Sequence, residues 1–218
     1  MHTDRRDFLA RLTTVAAAVA FDPEEMRSDL SRPREGPWDT SWIPRVERAK
    51  YRVVFNTNSP AEGAAFNLAS AFLDGYAEVH STKDEETRAV LVFRQLGTVM
   101  ALNDEMWSRY SIGADRKIND PATGAPAVRN VFWKSAPGSA TPSKDKIEPL
   151  QARGMISLVC NVSLGSIGYS FANATNRDVE EVRKEVRANL VPGAIIVPSG
   201  IYALIRAQNA GCAFMQGT

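Results

Sequence analysis

The 218-residue chain is 44% hydrophobic and 23% charged, with a formal net charge of +1. This is the composition of an ordinary globular protein with enough apolar material for a core of its own. The charge gives no support to a nucleic-acid or anionic-membrane partner, and the two cysteines, Cys160 and Cys212, make no disulfide framework.

Residues 1–20 read as an address. They combine a basic start, a short apolar stretch from Leu12 to Phe21, and a small-residue site at Ala18-Val19-Ala20. The stretch is shorter than the roughly 20 residues a bilayer demands, so no stable membrane span is expected. Arg5-Arg6-Asp7-Phe8-Leu9 resembles the twin-arginine export motif, with Asp4 and Ala10 departing from it, and implies a periplasmic location. The other reading is an amphipathic N-terminal helix on a cytoplasmic protein. Cleavage after Ala20 removes Arg5, Arg6 and Arg11 together with Asp4 and Asp7, leaving 23 residues of each sign.

Residues 21–49, with Pro23, Pro33, Pro37 and Pro44, read as a linker or extension whose Trp38 and Trp42 pack on a neighbouring surface. The pattern becomes regular in residues 50–218. "YRVVFNTNS" (51–59) is an apolar, β-rich run ending in turn residues. Phe66, Ala69, Phe72, Leu73 and Tyr76 recur at helical spacing within 61–79. "TRAVLVFRQ" (87–95) predicts a second strand, and "GTVMALNDEMWSRY" (97–110) a second helix with Val99, Leu102 and Met106 on one face. Residues 111–146 hold four prolines and three glycines without a sustained period, which predicts a long loop used for function or assembly. A short helix near 147–153, a strand ending at Cys160 and a charged helix near 177–190 follow. Then come the strand "GAIIVPS", the helix "GIYALIRAQNAG" and a closing strand, "CAFMQG". Strand–helix alternation of this kind predicts a parallel sheet with helices on both faces. The apolar run Ala194-Ile195-Ile196-Val197 predicts a strand buried on both sides.

Ligands of such sheets bind beyond the carboxyl ends of the strands. Those ends supply the candidate binding residues Asn58, Arg94, Gln95, Asn161 and Ser199, and the candidate catalytic residue Cys160. A cation or a helix N-terminus beside a thiol favours the nucleophilic thiolate, and a helix starting near Ser163 or Leu164 supplies such a terminus. Several chemistries lack their residues. After the N-terminal segment the only histidine is His80, which follows a helix, so neither a Ser–His–Asp triad nor a Cys–His dyad assembles. Two Cys and one His make no structural zinc site. There is no GxxxxGK[ST] loop, and "SLGSIGYS" lacks GxGxxG spacing. No element calls for a cofactor.

"LQARGMISLVCNVSLGS" with "VPSGIYALIRAQNAGCAFMQ" resembles the DsrE/DsrF-like group of sulfur-relay proteins. "FRQLGTVMALNDEMWSRYSIG" and "INDPATGAPAVRNVF" resemble its exported, twin-arginine-bearing branch. The resemblance covers about residues 50–218. Where that branch carries Arg-His at the end of the second strand, this chain reads Arg94-Gln95. The resemblance implies a three-layer α/β sandwich with a mainly parallel five-stranded sheet, assembly into trimers or hexamers, and a cysteine that carries persulfide sulfur between donor and acceptor proteins. Cys160 stands at the corresponding position.

Alternatives accompany each residue. Cys160 is a reactive thiol, a small core hydrophobe, or a disulfide partner of Cys212, which opens a strand at the other sheet edge. Arg94 is a surface or oligomer ion pair, or an anion ligand. Asn58 and Ser59 stabilise a turn or bind a ligand, and His80 reads as a solvated helix end. Asp104 and Trp107 cap and pack the second helix or line an interface with the long loop. Two functions follow: a sulfur carrier, or a non-catalytic binding or assembly module that uses the strand-end crevice and the 111–146 loop.

Overall fold

A computed structural model describes residues 38–217. The export segment and the 21–37 part of the extension lie outside them. Five parallel strands form one sheet, β1 (Tyr51–Thr57), β2 (Thr87–Phe93), β3 (Ile156–Cys160), β4 (Ala194–Val197) and β5 (Ala213–Gln216), in the order β4-β3-β2-β1-β5. Helices cover both faces, so the three-layer α/β architecture expected from the alternation is the one observed.

The order follows from handedness. Parallel strands joined by crossovers turn right-handed almost without exception, so the face a helix covers sets the direction in which the next strand is added. Three crossovers step from β1 to β4 along one face. They run through α2 (Ala64–His80), then α3 (Asp104–Arg109), α4 (Ile112–Arg116) and α5 (Ile147–Ala152), then α6 (Asn161–Thr175) and α7 (Val179–Ala188). Their apolar side chains join Phe55, Leu91 and Phe93 in one cluster with Phe66, Leu73, Trp107, Leu164 and Val182. The fourth crossover, α8 (Gly200–Asn209), returns across the other face to β5. Its Ala203, Leu204 and Ala207 meet Val54, Val90, Val92, Leu158 and Val197 there.

The helical stripes are those the spacing predicts, with two differences. The 97–110 segment is not one helix. A tight 3-10 stretch, Gln95–Ala101, ends at Leu102, and α3 starts afresh behind Asn103, whose Oδ1 accepts the Met106 amide at 3.1 Å. An Asn-Asp pair competes for backbone amides and starts helices better than it continues them. Gly97 lies so close to the end of β1 that a Cβ there would sit 2.3 Å from the Thr57 carbonyl oxygen. The second difference is β4. It is an edge strand, with Ala194, Ile195 and Ile196 only half-buried and Val197 alone fully buried. Its apolar run serves both faces, with Ile195 and Val197 against the α8-side cluster and Ala194 and Ile196 against the opposite one.

The domain also starts earlier than residue 50. Helix α1 (Trp42–Glu47) packs Trp42, Ile43 and Val46 into the α8-side cluster, and Ala49 behind it is buried too. Arg52 ties this segment down by donating to the Glu47 carbonyl at 2.7 Å. The 111–146 segment, expected to be loop throughout, opens with α4 (Ile112–Arg116), and the rest of it is packed as well. Asn130 is fully buried, donates to the Met100 and Leu102 carbonyls at 2.7 Å each, and accepts the Phe132 amide at 2.9 Å. Asp104 accepts the Asn130 amide at 2.9 Å and Trp107 Nε1 donates to the Val99 carbonyl at 3.0 Å, so both residues anchor this region. Trp42→Ala is expected to destabilise the domain by about 3–5 kcal/mol in urea denaturation. A loss below about 1 kcal/mol would mean that α1 is not part of the cooperative unit.

Candidate functional site

Adjacent strands β3 and β4 send their following helices to opposite faces of the sheet: β3 leads into α6 and β4 into α8. In open parallel sheets this is where a ligand crevice opens, outside the carboxyl ends of the strands. Cys160 and Val197 are register partners at that point. The last residue of β3 therefore stands between the N-termini of a 15-residue and a 10-residue helix.

Cys160 caps α6. Its backbone is extended (φ −69°, ψ 114°), and its Sγ accepts the Ser163 amide at 3.4 Å. The helix starts at Asn161, two residues before the expected Ser163, because the cysteine sulfur serves as the cap. Ser163 in turn uses its Oγ to accept the Gln95 amide at 2.8 Å. That bond ties the end of β2 to the start of α6, and Gln95 holds a left-handed conformation there (φ 49°).

Arg94 completes this end of the sheet. Phe93 pairs with Val159, and Arg94 is still extended (φ −140°, ψ 165°), so continuing the register sets Arg94 beside Cys160. Side chains alternate along strands. Asn56, Arg94 and Cys160 thus follow Val54, Val92 and Leu158 onto the α8 face. Arg94 Nη1 donates to Asn56 Oδ1 at 3.2 Å, and Asn56 Nδ2 donates to Gln216 Oε1 at 2.9 Å. The Arg94 stem lies against Gly200, where an added Cβ would come within 2.9 Å of it. Among the described residues no carboxylate lies within 4 Å of the Arg94 guanidinium. A surface ion pair with another described residue is thereby set aside for Arg94.

The other expected binding residues divide. Ser199 caps α8, its Oγ accepting the Tyr202 amide at 3.1 Å, and so borders the crevice. Asn58 holds the β1 exit, where its carbonyl accepts the Gly97 amide at 3.0 Å. Gln95 contributes its backbone, and its side chain is exposed. Asn161 belongs elsewhere: its Oδ1 accepts Arg187 Nε at 2.8 Å, which ties α6 to α7. Asn56 lies at the β1 strand end that the sequence offers for ligand binding, whereas Ser163 and Gln216 are site residues that sequence patterning did not assign to the site. Asn56 was readable as the last residue in phase with Val54, whereas Ser163 and Gln216 depended on strand order.

The two thiols differ in setting. Both are free and buried, Cys160 at 5% exposure and Cys212 at 7%. Cys212 precedes β5, whose Ala213 pairs with Val53, so it lies toward the amino end of the sheet while Cys160 lies at the carboxyl end. A disulfide between them is therefore excluded in this fold. Burial pushes the Cys212 thiol up to about 11, against the opposing pull of Arg52. His80 is also at the amino end, exposed and stacked on Tyr51 with ring centroids 5.4 Å apart. Among the described residues no group of three or more His, Cys, Asp or Glu side chains is placed to hold a metal, and no helix is long and apolar enough to cross a membrane.

No family model and no curated protein matches the chain. Among solved structures it is similar to a protein of unknown function, MTH1491, from Methanobacterium thermoautotrophicum. Identity is 19% and the TM-score 0.41, over 76% of this chain and 98% of that one.

The Cys212 setting has a consequence for stability. A thiol whose folded pKa exceeds its unfolded value leaves stability intact below the unfolded value near 9 and erodes it as pH rises toward about 11. Denaturation midpoints at pH 8 and 10.5 are expected to fall less for Cys212→Ala than for the native chain. Equal falls would contradict the buried-thiol assignment.

Proposed function

We propose that the protein carries sulfane sulfur on Cys160. The observation that supports this most strongly is the company of the sulfur. Its Sγ accepts a helix N-terminal amide at the point where the helices diverge, and the register neighbour of Cys160 is Arg94, which has no acidic partner among the described residues. Helix N-termini and guanidinium groups both stabilise negative charge on a neighbouring atom.

In this reading the Cys160 thiolate attacks the outer sulfur of a donor persulfide. The donor S–S bond breaks, a new Cys160 S–S bond forms, and the donor leaves as a thiolate. The terminal sulfur then passes to an acceptor thiolate by the same exchange, and Cys160 is regenerated with no external oxidant or reductant. The Ser163 amide and Arg94 hold the negative sulfur between the two steps. The N-terminal Arg5-Arg6-Asp7-Phe8-Leu9 segment supports placing this activity in the periplasm.

The 5% exposure of Cys160 favours a second reading. There the crevice binds an anionic ligand through Arg94 and the helix amides, and Cys160 only caps α6. Loading separates the two. Reduced native protein treated with a small-molecule persulfide is expected to gain one sulfur by intact mass, reversed by dithiothreitol, retained in Cys212→Ser and lost in Cys160→Ser. No gain in the folded protein, or an equal gain in Cys160→Ser, would overturn the carrier reading.

Self-association belongs to the same proposal. The outer edge of β5 pairs with no strand among the described residues and exposes Phe214 (50%) and Met215 (46%), and α8 exposes Ile201 and Ile205. An apolar sheet edge of this kind invites pairing with another chain. Sedimentation is expected to show an oligomer that Phe214→Glu weakens; a monomeric native protein would contradict it.

A further inference from the structure

The packed 111–146 segment forms an open pocket of about 260 Å³ whose wall includes Asp120, Arg129, Lys134, Ser135 and Lys146. We infer that this pocket binds a small dianionic oxyanion of the phosphate class, held by Lys146, Arg129 and Lys134. The site is separate from Cys160 and does not depend on the carrier reading.

Charge and hydrogen-bond capacity carry the inference. The wall carries three basic residues and one acidic residue, an excess of two positive charges, together with Val131, Pro121 and Ala136. The carboxylate has little left to offer. Asp120 Oδ2 accepts Arg129 Nε at 2.8 Å, and its Oδ1 accepts Arg129 Nη2 at 3.0 Å and the Ala122 amide at 2.9 Å. Asp120 therefore acts as the support that fixes the guanidinium plane. Arg129 Nη1 donates to the Lys134 carbonyl at 3.3 Å, which joins the two sides of the wall.

Lys146 is the group in want of a counter-charge. Its Nζ donates to the Val131 carbonyl at 2.6 Å, which occupies one of three N–H groups. Among the described residues no carboxylate lies within 4 Å of it. Burial, and then the Arg129 charge, push the Lys146 ammonium below its ordinary value, with Asp120 and Asp145 only partly opposing. An oxyanion supplies the missing charge and accepts the spare N–H groups. Lys134 contributes from the rim, where its Nζ lies 4.0 Å from the centre of the Trp133 ring. The charge sets the ligand class; at about 260 Å³ the pocket lies just under the ~300–1,000 Å³ of clefts that take drug-sized ligands, which leaves ample room for a small anion.

Titration calorimetry of the full chain with inorganic phosphate, at ionic strength held constant with chloride, tests the site. The native protein is expected to show one saturable site, and Cys160→Ser the same affinity. Lys146→Gln is expected to weaken binding at least about tenfold, the loss of a charged hydrogen bond. Because Lys146 also braces the Val131 carbonyl, Lys134→Gln at the rim serves as the second variant and is expected to weaken binding several-fold with its melting temperature unchanged. Absence of saturable binding to the native protein, or equal affinity in native and Lys134→Gln proteins, would overturn the inference.

Discussion

The handedness of parallel crossovers is the constraint on which the rest of this molecule depends. Three crossovers on one face force β1, β2, β3 and β4 to be added in a single direction. The fourth, α8, lies on the other face and must run back, which carries β5 to the far side of β1. The reversal leaves one place where neighbouring strands release their helices to opposite faces, and Cys160 is the last residue of a strand at that place. The thiol caps one helix there, and the neighbouring strands on either side lead into Ser199, the cap of α8, and into Arg94, as consequences of topology.

Electrostatics then separates residues that composition treats alike. Cys160 and Cys212 are buried to nearly the same degree. Cys160 receives a backbone N–H on its sulfur, whereas desolvation dominates at Cys212 and holds it as a neutral thiol. Arginines divide in the same way. Arg109 and Arg177 share Glu185, with Tyr110 on the same carboxylate, and knit α3 to α7. Arg94 reaches an amide oxygen rather than an acid, and Arg129 is oriented by Asp120 beside Lys134 and Lys146, which leave that wall with an excess of positive charge. Partnered arginines hold the fold, and those whose charge is not cancelled mark the places that attract anions.

The alternation of strands and helices was legible because apolar periodicity changes between two and 3.6 residues along the chain, and the candidate edge could be read from the strand ends alone. Strand order was not, since it depends on which face α8 covers. Without the order, the adjacency of Arg94 and Cys160 stayed conditional, and Asn161 looked like a crevice residue when it in fact braces α7. The break at Asn103 was readable from its cap chemistry, but the flanking apolar stripe through Leu102 and Met106 masked it, because both halves bury the same face. The segment around Trp42 looked like linker for want of any strand nearby in sequence, although Trp42 itself was expected to pack on a neighbouring surface. Its burial is a long-range contact with the α8-side core. The loop pocket had no local signature, since Asp120, Arg129 and Lys146 meet only after Asn130 has folded the segment back.

The most direct test of Cys160 as a working thiol is the rate of alkylation of the native protein near neutral pH, read by intact mass with site mapping. Cys160 is expected to be modified in the folded chain, Cys212 to be spared, and Arg94→Gln to slow the reaction. Modification of Cys160 only after denaturation, at the same rate as Cys212, would contradict it and leave the thiol as core filling at the head of α6.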